Sequence, residues 1–207
     1  MIKIILFFGL IVFFQSGAAA AGLDIMSTSE IRSLIGPFPQ PGSSEEIADD
    51  EVLQNHQRTR SEEECATAAT QAHLNLREVF VQPNGPITKR EFDRFQYHLL
   101  KLKVKAGLNI LKAKKIYKRQ RPYDRNLGLV PCIPKEDTHS YPSGHTALSR
   151  AVAQVLSSKY PQRAALLLSV ARDIALNRVL GGVHHPTDIV AGEKLGDEIA
   201  LRFLEDD

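Results

Sequence analysis

Residues 88–106, TKREFDRFQYHLLKLKVKA, decide the fold class. Thr88 followed by Glu91 is a capping box, in which hydroxyl and carboxylate each satisfy a free N–H at a helix start. Phe92, Phe95, Leu99, Leu102 and Ala106 then recur at three- and four-residue intervals, the signature of one buried helix face. Pro122 ends the region, and Pro83-Asn84-Gly85-Pro86 forms a loop before it. The same reading predicts helices over Ser143–Lys159, Pro161–Val179 and Thr187–Phe203 on the C-terminal side. Upstream, Ser44–Arg58 and Ser61–Val81 carry acids near their starts, which suits helix N-termini. Runs of β-branched residues are few, so the expected architecture is all-α, a single-domain helical bundle over residues 44–207.

The N-terminus reads differently. Lys3 is the only charge before Asp24, and an apolar run from Ile4 to Phe14 leads into the small residues Ala18 to Ala21. A basic start, a short apolar stretch and an A-x-A site describe a signal peptide over residues 1–21, cleaved near Ala20 or Ala21. A membrane anchor would need about twice that apolar length to cross a ~30 Å hydrocarbon layer. Residues 22–43 hold Gly36, Pro37, Pro39, Pro41 and Gly42 and are expected to be an extended leader segment. The best later apolar stretch, Ala164 to Ala171, is short and interrupted by Ser169, so no membrane insertion is expected after cleavage. The expected location is the bacterial periplasm or the medium. That compartment permits a disulfide between Cys65 and Cys132, the other reading being two separately buried thiols.

The formal net charge is +2, or about +1 once Lys3 is removed, so bulk charge implies no nucleic-acid partner. Locally, the charge is concentrated. Lys101 to Arg125 contains ten Lys/Arg residues and one acid, Asp124. Such a run can be a solvated helix face or a basic module that binds polyanions. Its internal spacing, Lys114-x6-Arg121-Pro122, allows a third use, since a guanidinium fork and an ammonium together suit phosphate oxygens.

Two further clusters carry chemistry. Pro142-Ser143-Gly144-His145 precedes the periodic residues Leu148, Val152, Val155 and Leu156. Ser143 stands where an N-cap belongs, Gly144 lets a ligand approach the backbone, and the free N–H groups of the helix start attract anions. His145 then lies beside that anion, unless the segment is merely a proline-started helix with a surface histidine. The other cluster is Arg178-x5-His184-x3-Asp188. Gly181 and Gly182 end one helix and Pro186-Thr187 start the next, placing His184 on the connection. A carboxylate at Asp188 can hold one imidazole nitrogen and leave the other free as nucleophile or base, or the pairing can be incidental. His184, His185 and Asp188 could also ligate a metal. The chain lacks an HExxH sequence, a Cys/His pair at zinc spacing and an acidic cluster for magnesium, so no metal is expected.

In this order and spacing the clusters resemble the K-x6-RP, PSGH and SR-x5-H-x3-D signature of the type 2 phosphatidic acid phosphatase/vanadium haloperoxidase superfamily. Within it the chain is most similar to the bacterial class A non-specific acid phosphatases, from Gly85-Pro86-Ile87-Thr88 to the C-terminus. Ser140-Tyr141 and Thr146 extend the match around the middle motif. The family serine before Arg178 is Asn177 here, and His139 stands where class A members usually have glycine.

The resemblance implies a metal- and cofactor-independent acid phosphatase acting on small phosphate monoesters. Lys114, Arg121, Ser143, Gly144 and Arg178 would bind the phosphoryl oxygens. His184 would be the nucleophile, oriented by Asp188, and His145 the general acid. His185, beside the nucleophile, is the remaining histidine with a route to substrate. Rival activities of the superfamily are a lipid or pyrophosphate phosphatase and a vanadate-dependent haloperoxidase. Assembly into a homo-oligomer stays open.

Overall fold

The computed structural model describes residues 24–125 and 127–206. The signal-peptide expectation for residues 1–21 lies outside them. Eight α-helices and no strand are found among the described residues. They are α1 (Thr28–Ile35), α2 (Ser44–Thr59), α3 (Glu62–Thr70), α4 (Leu76–Phe80), α5 (Lys89–Tyr117), α6 (Gly144–Lys159), α7 (Ala164–Leu180) and α8 (Pro186–Glu205).

Local chemistry sets most of these starts. Thr88 and Glu91 form the expected capping box of α5, and Ser61 and Glu64 form another on α3. Ser43 caps α2 and Ser143 caps α6. At 29 residues, α5 runs about 44 Å and forms one wall of the bundle. It ends on Lys118 at φ +51°, a left-handed residue that turns the chain sharply before Arg119 and Arg121.

α6 sits at the centre, packed on α8, α7 and α5. Ala147 and Ala151, one turn apart on α6, lie in the main core with Leu195, Ile199 and Ala200 of α8. Two glycines let α6 and α8 approach this closely. A Cβ at Gly192 would lie 2.8 Å from the Ser143 carbonyl oxygen, and one at Gly196 would lie 2.5 Å from that of Ala147. The chosen approach fixes the start of α6 against the start of α8, where the motif residues lie. No helix among the described residues is long and apolar enough to cross a membrane.

Three expectations need correcting. Residues 22–43 are not an extended leader throughout, because Thr28–Ile35 is helical and packs on α5 and α8. Ser27 and Glu30 make a capping box there, and Ile31 and Ile35, four residues apart, are buried with Met26. The prolines and glycines that suggested an extended chain begin only at Gly36, after the helix is complete. The folded unit therefore includes α1 and starts before residue 44. Ser61–Val81 is two helices, since Asn75 caps a new start at Leu76. The basic run is not one face either: Lys105, Lys114, Arg119 and Arg121 are buried, whereas Lys101, Lys103, Lys115 and Lys118 are exposed.

Cys65 and Cys132 are bridged, with Cα atoms 5.8 Å apart. The bond ties α3 to the loop between α5 and α6 across 67 residues of sequence.

Gly196→Ala should destabilise the protein by about 1–3 kcal/mol in urea unfolding, the usual cost of overpacking. Alanine gains about 1 kcal/mol of helix propensity over glycine, so unchanged or raised stability would mean the α6–α8 approach is not under constraint.

Candidate active site

The predicted residues converge. His184 lies on the α7–α8 connection, fully buried, and its Nδ1 is 3.1 Å from Asp188 Oδ2. Arg121 Nη1 lies 2.9 Å from His184 Nε2. A guanidinium only donates, so Nε2 is the acceptor and the ring proton sits on Nδ1, directed at Asp188. Burial, then the charge of Arg121, pushes the His184 pKa well below its usual value, which keeps the imidazole neutral.

Asp188 is the most heavily bonded group of the site. Its Oδ2 also accepts from the His185 N–H at 2.9 Å and from Ser140 Oγ at 2.5 Å, and Arg119 Nη1 donates to Oδ1 at 2.7 Å. Burial opposes ionisation, but the hydrogen bonds from His184 and His185 outweigh it and hold the carboxyl well below its usual range. Its place three residues into α8 adds the helix dipole.

Around His184 stand the cations. Arg121 is locked by donating to the carbonyls of Thr138 and Val183 at 2.7 and 2.8 Å. Arg178, at the end of α7, is buried and leaves Nε and Nη1 without a partner. Lys114 reaches over from α5 to the carbonyls of His139 and Ser140. Burial and then the nearby Arg121 lower its pKa to about 7.

In the middle motif Ser143 is the expected N-cap, and Gly144 also meets α5. Ser143 Oγ accepts from Thr146 Oγ1 at 2.9 Å and caps α6, while its N–H donates to the Asp188 carbonyl at 3.0 Å. Gly144 permits close helix packing: a Cβ there would lie 3.2 Å from Ile110 Cγ2 and 3.8 Å from Lys114 Cε. His145 Nε2 lies 3.1 Å from the Ala72 carbonyl, which makes Nε2 the donor and leaves Nδ1 toward Glu136 Oε1, 3.8 Å away. Burial, with Arg178 next, lowers its pKa to about 4.

His185 does not reach the anion side. Its ring is bonded among Asp188, Ser140 and Arg125, and Arg125 in turn pairs with Asp50 and Glu46 of α2. Asn177 also turns away, donating to Gln71 Oε1 at 2.9 Å.

Three residues of the site were not singled out from sequence. Arg119 bridges Asp188 to the buried Asp49 of α2, at 2.7 and 2.9 Å. Asp49 also accepts from the Thr187 N–H at 3.0 Å, so α2 helps hold the start of α8. Glu136, on the loop before the middle motif, lies 2.5 Å from both Arg121 Nη2 and Arg178 Nη2. Arg119 stood two positions from Arg121 within the basic run. Asp49 and Glu136 carry no local signal, because their partners come from distant segments. Among the described residues, no group of three His, Cys, Asp or Glu side chains is placed to hold a metal ion.

The site thus gathers a neutral, oriented imidazole, in contact with Arg121, and the further buried cations Lys114 and Arg178. The sequence comparisons agree. Residues 99–201 match the PAP2 superfamily. A non-specific acid phosphatase of Providencia stuartii is 30% identical over 169 residues, covering 77% of this chain and 68% of that protein. The chain belongs to the PAP2 superfamily.

Solved structures share the fold. A bacterial vanadium-dependent iodoperoxidase superposes with a TM-score of 0.61 at 18% identity, over 84% of this chain and 52% of the other. The transmembrane phosphatidylglycerolphosphate phosphatase of Bacillus subtilis gives 0.59 at 18% identity, over 77% and 84%.

The depressed Lys114 yields a signed expectation. At pH 7 about half of its population is neutral in the empty site. A bound anion favours the ammonium, so binding at pH 7 takes up protons, and affinity falls as pH rises above 7. Sulfate, whose charge is fixed across this range, should bind with proton uptake in calorimetry run in buffers of differing ionisation enthalpy. Proton release would contradict the assignment.

Proposed function

We propose that this chain hydrolyses phosphate monoesters through a phosphohistidine intermediate, without a metal ion and after export from the cytoplasm. The observation that carries the reading is His184 itself: Nδ1 is anchored to Asp188, Nε2 meets Arg121, and the charge of Lys114 is also felt at the ring. Membership of the PAP2 superfamily and the similarity to an acid phosphatase support phosphatase chemistry.

In the first step Arg121 Nη1 transfers its hydrogen bond from His184 Nε2 to a phosphoryl oxygen, the freed Nε2 lone pair attacks phosphorus in line, and the bond to the leaving oxygen breaks. The cations neutralise charge on the non-bridging oxygens, the work that a metal ion does in other phosphatases. The Asp188 carboxylate supports the positive charge that develops on the ring. His145 gives a proton from Nδ1 to the leaving oxygen, while its Nε2–H stays on the Ala72 carbonyl. An arriving phosphate dianion raises the His145 pKa from about 4, because opposite charge favours the protonated ring. In the second step the neutral His145 takes a proton from water. The resulting attack on phosphorus releases phosphate and restores His184.

His184→Ala should remove at least about a thousandfold of kcat on p-nitrophenyl phosphate, and acid-quench labelling should trap an acid-labile, base-stable phosphoenzyme in the parent. Exhaustive EDTA treatment should leave the rate intact. Near-normal turnover of the alanine variant would sink the mechanism, and activity lost in EDTA but restored by Zn²⁺ or Mg²⁺ would sink its metal-free form.

The leaving group tests His145. Alkoxides are strongly basic and need the proton, whereas p-nitrophenolate scarcely does. His145→Asn should slow phosphorylation by alkyl phosphates by about 10²–10⁴-fold and by p-nitrophenyl phosphate far less, measured in the burst phase. Equal losses would reduce His145 to a phosphate-binding residue.

A further inference from the structure

The clamp that would receive substrate phosphate is filled by the protein's own side chain. Glu136 Oε2 lies 2.5 Å from Arg121 Nη2, and Oε1 lies 2.5 Å from Arg178 Nη2. Oε1 is also 3.8 Å from His145 Nδ1. One anion thus touches both guanidiniums and faces the general acid, as a bound phosphoryl group would. Burial alone would raise the Glu136 pKa, but the guanidiniums of Arg121 and Arg178 hold it well below the usual carboxylate range, so the occupant is charged.

Among the described residues, the carboxylate's only hydrogen bonds are to the cations it covers. The Glu136 backbone is fixed separately: its N–H donates to Tyr123 Oη at 3.0 Å and its carbonyl accepts from Tyr123 Oη at 2.9 Å. Its side chain keeps 23% of its surface in solvent, against 2% and 1% for the two arginines. The side chain can therefore rotate outward while the loop stays in place. Arg178 Nε and Nη1, left unpaired by the carboxylate, supply donors for an anion with more oxygens.

We propose that Glu136 is an internal ligand of the phosphate clamp and sets the site's apparent affinity, because every substrate must displace it. The inference rests on the clamp being the phosphate site. A phosphate dianion exchanges two charge-assisted hydrogen bonds to a carboxylate for a larger set to itself. Affinity is lowered by the fraction of molecules in which the clamp is closed. The returning carboxylate also competes with product phosphate, which limits product retention.

The test is a calorimetric titration of the full chain with orthophosphate. Glu136→Gln keeps the shape, removes the charge and leaves two guanidiniums without a counter-ion, so orthophosphate should bind at least about tenfold tighter. KM for p-nitrophenyl phosphate should fall with it. Glu136→Asp, which keeps the charge, should bind orthophosphate far more like the parent than Glu136→Gln does. A merely structural counter-ion role would lower the thermal stability of Glu136→Gln without tightening phosphate binding.

Equal or weaker phosphate binding by a folded Glu136→Gln protein overturns the proposal. Should that variant fail to fold, a crystal of the parent with orthophosphate decides. Phosphate in contact with Arg121 and Arg178 with Glu136 turned away supports it; phosphate bound with Glu136 still on both arginines overturns it. Binding and turnover are separate readouts. Unchanged phosphate affinity in the variant leaves the proposed reaction standing, whereas absent turnover in a parent that binds phosphate counts against the reaction alone.

Discussion

Asp188 is a fully buried carboxylate, and burying such a charge without partners costs several kcal/mol. The fold around it supplies those partners from three places: His184 and His185 from the α7–α8 connection, Ser140 from the loop before α6, and Arg119 from the turn after α5. Each bond is also a positional constraint. The Asp188 main-chain carbonyl accepts from the Ser143 N–H, so the same residue joins the starts of α6 and α8. Orienting the imidazole of His184 and closing the bundle at this end are one interaction. The Arg119–Asp49 pair carries the constraint on to α2, whose own sequence gives no hint of it.

Charge in the site is balanced without being paired off one to one. Lys114, Arg119, Arg121 and Arg178 are all buried, and Glu136, Asp49 and Asp188 answer them. The excess of one positive charge is felt where desolvation is severe and partners are neutral carbonyls, at Lys114, whose pKa drops to about 7. The low dielectric that depresses Lys114 would also strengthen its attraction to any anion placed beside it.

The sequence spoke clearly where the chemistry is local. Capping boxes, proline starts and three-to-four-residue spacing located α2 and α5 to α8 closely, because those signals depend on residues within one or two turns. His145, His184 and Asp188 were singled out through motif spacing. The structure brings these residues to one end of the bundle. α1 was hidden by its neighbours: five prolines and glycines after it masked an eight-residue helix with its own capping box. Gly144 was legible as a position requiring glycine, but its partner turned out to be α5. Glu136 and Asp49 lay beyond reach, since what makes each important is a guanidinium brought by tertiary folding from elsewhere in the chain.

The two glycines of α8 divide the protein into parts with different freedom to vary. Gly192 and Gly196 bring backbone against backbone, and the anion-handling residues at the starts of α6 and α8 inherit that fixed separation. Almost any side chain added along this seam is refused. By contrast, the carbonyl facing His145 comes from the loop after α3, at Ala72, and Glu136 comes from the loop before α6. Neither loop is held by helix–helix contact, and one is anchored by the Cys65–Cys132 bond. Change is thus easier in these two loops than along the α6–α8 seam, which cannot be rewritten without moving the helices apart.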